Sequence, residues 1–344
     1  MMNIQLRKEV LQNTFLDPRH RFKTKTQTLE VRYDPLTGRT VHIAHLGAIA
    51  PLPLNLAALD QEELRTRCPF CPGRREQVTP KFPPDLIPAG HLRRGEALVV
   101  PNIAPYDSIS AVTVVTGQHL VPLDHFTARH LVDALGVSLE FLQTVRQKRP
   151  ELPYALLGWN YMPPSGGGLV HPHVQAVATR FPGNRYRDEL AAAQAYTQAT
   201  GRNYWPDLAQ AEKSNQERYI GCTGQGHWLS AFAPLGTIGE ILGIYTDVFV
   251  LDDVDAAVLE ETANAFLRLF AFFQAWGAGS FNAVLGFGPA NDPVMPAYWR
   301  IIPRTYLNAS EKPADTNFFQ MLLHEPVSSV IPEELCAAVR PFFG

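Results

Sequence analysis

No stretch of this chain is long and apolar enough to span a bilayer, and no apolar run follows the charged residues of its start, Met-Met-Asn-Ile-Gln-Leu-Arg-Lys-Glu. Neither a transmembrane segment nor a secretory signal is expected, and a membrane is not an expected partner. An excess of positive charge is also lacking. The 30 Lys and Arg stand against 33 Asp and Glu, for a net charge of -3. Without a positive field a chain holds a phosphate backbone poorly, so nucleic acid is not an expected partner either. Cysteine is scarce: four in 344 residues do not make a disulfide framework. Reduced thiols and a cytoplasmic location are the expectation.

What is present suffices for one large core or two modest ones, since 46% of the 344 residues are hydrophobic. The 29 prolines predict many loops and short elements. Residues 1–28 are polar and weakly patterned, and read as an N-terminal arm. A hairpin follows, with Asp34-Pro-Leu-Thr-Gly38 as the turn between Leu29–Tyr33 and Val41–Ala44. Residues 50–95 are rich in proline and charge, and read as loop.

The remainder carries one pattern twice. Ala104-Pro105 with Ile109, Val112 and Val115 is matched by Ala233-Pro234 with Ile238, Ile241 and Ile244. An amphipathic helix follows each. Its stripe is Leu131, Leu135, Leu139, Leu142 and Val145 in the first copy. In the second it is Val258, Thr262, Phe266, Leu269, Phe270 and Phe273, stopped by Gly277. The strands Leu156–Asn160 and Val284–Gly288 then match, and so do His171–Gln175 and Tyr298–Ile302. The expected fold is α+β: two related units, each an antiparallel sheet with one long helix. The first spans 29–183, the second 229–344, and 184–228 links them.

Two constellations carry chemistry. In His171-Pro172-His173-Val174-Gln175 the polar residues alternate, so on a strand they share a face, which is costly to bury without a task. The preceding Ser165-Gly166-Gly167-Gly168 lets main-chain N–H groups approach an anion. A neutral imidazole can attack phosphorus while a Gln amide donates to the phosphoryl oxygens. A pair of structural histidines beside a flexible turn is the competing reading. Cys68-Pro-Phe-Cys71 is a metal knuckle, a redox dithiol or chance. Pro69 and Pro72-Gly73 favour a turn over the helix a redox pair needs, and so favour metal. Tetrahedral zinc then requires two more ligands, with His91, His119, His125 and His171 as candidates.

Taken together and in order, Arg32-Tyr-Asp-Pro-Leu-Thr-Gly38, Cys68-Pro-Phe-Cys71, Asn102, His119 and Asn160 before His171-Pro-His-Val-Gln175 resemble the galactose-1-phosphate uridylyltransferase family, a duplicated branch of the histidine-triad superfamily. The resemblance covers residues 29–340 and is strongest in the first half. It implies that His173 is the nucleophile that becomes nucleotidylated and that Gln175 holds the phosphoryl oxygens. It implies one structural zinc per chain on Cys68, Cys71, His119 and His171, and a nucleotide contact at Asn160, beside the loop Ser165–Gly168. A homodimer is implied as well.

Several positions depart from the family. The stretch His45–Ala50 after the turn lacks the expected Arg or Lys, leaving Arg39, Arg74, Arg75 and Lys81 as substitutes. The strand Tyr298–Arg304 has no histidine cluster, so a second metal is expected to be absent. Residues 317–327 match the hexose-reading stretch poorly. The implied activity is transfer between a nucleotide sugar and a sugar 1-phosphate, as in a UDP-glucose:hexose-1-phosphate uridylyltransferase of galactose metabolism. With inorganic phosphate as acceptor it becomes an ADP-sugar or dinucleoside-polyphosphate phosphorylase. A zinc-stabilised nucleotide-binding protein with little turnover is the third reading.

Overall fold

The computed structural model describes residues 4–44, 49–289 and 292–344. Fourteen strands are named in chain order: β1 (Lys8–Asp17), β2 (Lys23–Tyr33), β3 (Thr40–Ala44), β4 (Leu92–Arg94), β5 (Ala97–Pro101), β6 (Ile109–Val114), β7 (Tyr154–Tyr161), β8 (His173–Thr179), β9 (Tyr219–Thr223), β10 (Gly226–Ser230), β11 (Ile241–Tyr245), β12 (Ser280–Phe287), β13 (Tyr298–Arg304) and β14 (Val327–Ser328). They form a four-stranded sheet, β1-β2-β3-β14, and a ten-stranded antiparallel sheet, β4-β5-β6-β8-β7-β12-β13-β11-β10-β9.

The large sheet is the same five-strand order written outward from its centre in both directions. The halves meet at β7 and β12, where Gly158 faces Val284. β7 and β12 each have 8 residues, β8 and β13 each have 7, and the long helices Ala128–Lys148 and Ala256–Trp276 each have 21. Their ladders also begin at equivalent points. Tyr154 faces Thr179 as Ser280 faces Arg304, and Val114 faces His173 as Ile244 faces Tyr298. The duplicated α+β architecture expected from sequence is therefore present.

The residue correspondence needs correction. The ladders put Tyr298 at the place of His173 and Arg300 at that of Gln175, two residues from the sequence match. The match of Ile109 to Ile238 is off by one. Apolar landmarks recur at every second strand position and do not fix register. The shift along β13 is even, so the face assignment of that strand survives it.

Both long helices cover one face of the sheet. Thr127 and Asp255 cap them by accepting from the N–H groups of His130 and Val258. Gly277, at φ +83°, closes the second in the left-handed conformation. The predicted stripes are buried, and Trp159, Phe266, Phe270 and Phe281 meet between the helices and β7 and β12. Val174 and Ala176 point into this core, which turns His173 and Gln175 to the opposite face.

The segment 184–228 contains the helices Asn184–Thr200 and Tyr204–Asn215 as well as β9. These helices cover the second half on the face that carries His173 and Gln175 in the first. Trp205 stacks on Tyr298 with ring centroids 4.4 Å apart, and Glu189 pairs with Arg300 at 2.9 Å. The N-terminal residues form a ribbon, β1 against β2, exposed along most of its length. The predicted hairpin of β2 and β3 is present, and Asp34 Oδ1 accepts from the N–H of Thr37 at 2.7 Å within its turn. Among the described residues, no helix is long and apolar enough to cross a membrane.

Candidate active site and metal centre

Four predicted ligands converge. One ligand atom each from Cys68, Cys71, His119 and His171 lies within 4.8 Å of the others. Cys71 Sγ is 3.4 Å from His119 Nδ1 and 3.7 Å from His171 Nδ1, and Cys68 Sγ is 3.6 Å from His171 Nδ1. A tetrahedron with metal–sulfur and metal–nitrogen bonds of about 2.3 and 2.0 Å has sulfur–nitrogen edges of about 3.5 Å. The donor set and its spacing therefore fit a tetrahedral metal ion such as zinc. His91 and His125 stand apart: His91 Nε2 bonds the carbonyl of Pro80, and His125 sits in the short turn Leu123–His125.

With no ion bound, burial keeps Cys71, His119 and His171 neutral. Burial, with Cys68 beside it, pushes the Cys71 thiol up to about 11. Burial pulls His171 down to about 4 and lowers His119. Buried thiols resist ionisation and buried imidazoles stay neutral, and a divalent ion displaces the thiol protons. His171 Nε2 donates to the carbonyl of Thr116 at 2.8 Å, which fixes the tautomer and leaves Nδ1 for a metal.

Strand β8 carries the predicted pair, His173 and Gln175. The Nδ1–H of His173 donates to the carbonyl of His171 at 2.8 Å, so Nε2 keeps its lone pair. Burial holds the His173 pKa below the usual histidine value against the opposing effect of that bond. Phe70, inside the CxxC turn, lies 5.6 Å from the His173 ring and 5.9 Å from that of His171. The knuckle thus packs against both histidines, His171 and His173. Gln175 is half-buried on the same face as His173, between Val112 of β6 and Gly158 of β7.

Asn160 lies on β7 two residues beyond Gly158, so it shares that face and stands beside His173. The turn after β7 brings the glycine loop back to it. A side chain at Gly167 would meet the carbonyls of Asn160 and Met162 at 3.0 and 3.2 Å, and Gly166 has φ +83°. These two glycines are required by close approach and by backbone conformation, respectively. Ser165 is buried, and its hydroxyl donates to the Met162 carbonyl at 2.7 Å.

Two residues of this face were missed from sequence. Asn282, directly opposite Asn160 on β12, donates to Asn160 Oδ1 at 2.6 Å and to the Ser165 carbonyl at 2.9 Å. Arg304, on β13, donates to Asn282 Oδ1 at 2.6 Å. A polar residue inside the strand Ser280–Phe287, between Phe281 and Ala283, was the available signal. Of the proposed substitute cations, Arg39 pairs with Asp188 and Arg75 with Glu76. Residues 45–48 of the stretch that lacks basic residues lie outside the described residues.

No family model matches the chain. An uncharacterized protein of Archaeoglobus fulgidus is 34% identical over 322 residues, covering 94% of this chain and 94% of that one. Among solved structures, an ADP-glucose phosphorylase from Arabidopsis thaliana with bound ADP-glucose has a TM-score of 0.69 at 16% identity, covering 91% of this chain and 98% of that chain. A galT-like protein from Arabidopsis thaliana gives 0.68 at 16% identity, over 90% and 98%. A uridylyltransferase gives 0.66 at 19% identity, over 91% and 97%. At these identities the likeness to the solved structures is one of fold.

Proposed function

This chain belongs to one family with the uncharacterized Archaeoglobus fulgidus protein and has the fold of the galT-like and uridylyltransferase structures of the histidine-triad superfamily, and from that premise we propose a nucleotidyltransferase working through a covalent nucleotidyl-His173 intermediate. The observation that carries this reading is the 2.8 Å bond from His173 Nδ1 to the His171 carbonyl, which leaves Nε2 as the free base beside Gln175.

In the first half-reaction Nε2 attacks the α-phosphorus of a nucleotide sugar. An N–P bond forms, the P–O bond to the sugar phosphate breaks, and the departing phosphate oxygen takes the electron pair. The imidazole becomes cationic, and the His171 carbonyl accepts from its Nδ1–H. The Gln175 amide and the main-chain N–H groups of Gly167 and Gly168 donate to the phosphoryl oxygens, since those of Ser165 and Gly166 already donate to the Met162 and Pro163 carbonyls, and Asn160 holds the nucleotide. In the second half-reaction an acceptor phosphate oxygen attacks the same phosphorus and His173 leaves as neutral imidazole.

Cys68, Cys71, His119 and His171 would hold one zinc ion, whose chemistry is structural, since four protein ligands leave no position for substrate. With hexose 1-phosphate as acceptor the enzyme is a UDP-glucose:hexose-1-phosphate uridylyltransferase. A phosphorylase of ADP-sugars or dinucleoside polyphosphates is the second reading. It is favoured by the lack of Lys and Arg over 45–50 and by Phe318, Met321, Leu322 and Leu323, which stand exposed where the resembling family reads its hexose. A cytoplasmic homodimer belongs to either version. Incubation of the pure protein with UDP-glucose and with ADP-glucose, followed by intact mass, tests the proposal. A uridylyl or adenylyl increment selects the base, and no increment with either donor rejects the covalent mechanism for both.

A further inference from the structure

The proposed chemistry uses the first half alone, and the corresponding place in the second half is covered by the helices of 184–215. Asn282 breaks that division. From the second half it reaches two parts of the first: the Asn160 side chain and the main chain of the glycine loop. Behind it stands Arg304, and behind Arg304 stands Asp315, which is 4% exposed. Arg304 Nε donates to the two Asp315 oxygens at 2.9 and 3.0 Å, its Nη2 donates to Asp315 as well, and the N–H of Thr305 adds a bond to Asp315 at 3.2 Å.

The fixed polarity of this relay's ends decides the amides in its middle. A guanidinium only donates, so Asn282 must turn Oδ1 to Arg304. A main-chain carbonyl only accepts, so Asn282 must turn its NH₂ to Ser165. That same NH₂ meets Asn160, which must accept through Oδ1. The NH₂ of Asn160 is then turned away from Asn282, and nothing among the described residues accepts from it within hydrogen-bond distance. It is a donor with a fixed direction on the face that carries His173.

A pair of asparagines that only joined two strands would gain little over an apolar pair of similar shape, because such bonds replace bonds to water. A relay that runs from a buried carboxylate to an unused donor does something an apolar pair cannot. It sets the sign of the dipole presented at the site, and it anchors the loop at Ser165. We infer that Asn282, Arg304 and Asp315 are positioning residues for the nucleotide. They make Asn160 a donor toward phosphate or ribose oxygens and hold the glycine loop in place, which gives the degenerate half a task in the first half's chemistry. This rests on the reading of the His173 face as a nucleotide site.

Asn282→Asp separates positioning from a merely structural role. A carboxylate at 282 still accepts from Arg304, so the ion pairing survives. It cannot donate to Ser165 or to Asn160, and Asn160 must rotate its amide to donate to it, presenting Oδ1 to the phosphates. We measure melting temperature, the rate of adduct formation with UDP-glucose and ADP-glucose, and affinity for UMP and AMP by calorimetry. The expected result is a protein that stays folded at the assay temperature, with adduct formation slowed roughly ten- to a hundredfold and nucleotide affinity lowered about tenfold. Asn282→Ala, which removes the donor without adding charge, should weaken nucleotide affinity by a smaller factor. Wild-type rates and affinities in Asn282→Asp overturn the inference, as do losses in both variants that only follow the loss of folded protein. If the wild type binds UMP or AMP yet forms no adduct, the covalent reading fails, and the affinity ratio alone decides the inference. If it binds neither nucleotide, both fail.

Discussion

His173 donates its Nδ1–H to the main-chain carbonyl of His171, 2.8 Å away, while the His171 side chain turns Nδ1 toward Cys68 and Cys71. One residue therefore belongs to two sites, with its imidazole among the four candidate metal ligands and its carbonyl on the proposed nucleophile. The two histidines should consequently fail in different ways when replaced.

His173→Gly should abolish the nucleotidyl adduct and leave a cavity in which added imidazole restores transfer. Gln175→Ala should retain the adduct but slow both half-reactions by roughly 10²–10³, the cost of one lost donor to a developing phosphoryl charge. Intact mass and exchange of labelled sugar phosphate into nucleotide sugar check both. Substantial transfer by His173→Gly without imidazole would mean that the acceptor attacks the donor directly.

Metal analysis should find one zinc per chain. Cys68→Ser and His171→Ala should lose it and melt at lower temperature, whereas His173→Gly should keep its zinc and lose only the stability that a cavity and a strand glycine cost. Structural zinc contributes on the order of 10 kcal/mol to small isolated domains and less where, as here, a large core surrounds it. A wild type that melts identically before and after chelation would remove the structural role.

Acid should loosen the joint between the N-terminal ribbon and the C-terminal helix Pro332–Val339. Glu333 accepts from Arg32 at 2.8 and 2.9 Å and from Arg218 at 2.6 Å, and both arginines are fully buried. Burial alone would raise the Glu333 pKa, but the bonds and charges of the two guanidinium groups hold it at about 2, below its ordinary value of 4.5. A depressed carboxylate stabilises the fold above its ordinary pKa, and the gain is lost as pH falls from 4.5 toward about 2. Glu333→Gln should lower the melting temperature at neutral pH and flatten its fall through that window. Equal slopes for the two proteins would show that Glu333 is not the group responsible.

Much of the site was legible because strand parity and ligand spacing are local. The alternation of His171, His173 and Gln175 gave the face, and Pro69 and Pro72 gave the knuckle. The pairing of that knuckle with His119 and His171 came from family resemblance rather than from spacing. Asn282 and Arg304 were not legible. An asparagine inside a strand gains meaning only when the register of β7 against β12 is known, and that register joins residues 122 positions apart. The same gap misaligned the second half by two residues along β13. It also hid the role of 184–215, whose buried Glu189 makes sense only once Arg300 lies beneath it.

Arg300 gives the last prediction. It occupies the place of Gln175 but faces Glu189 and Glu240 instead of substrate, and Tyr298, at the place of His173, is buried under Trp205. Neither Tyr298 nor Arg300 is a phosphoryl nucleophile at neutral pH, so peptide mapping should find nucleotidyl label on His173 and none on residues 230–310. Arg300→Leu should leave the labelled site unchanged yet destabilise by about 3–5 kcal/mol, the cost of breaking a buried pair from one side. The sign of its pH dependence follows from what remains. Burial already raises the Glu240 pKa with the arginine in place, and losing that positive charge raises it further. A carboxylate whose folded pKa is raised stabilises below its ordinary pKa and loses that contribution as pH rises through the folded value. The variant should therefore approach the wild type at mildly acidic pH and fall furthest behind it in alkali. A deficit independent of pH would point to lost packing in place of uncompensated charge.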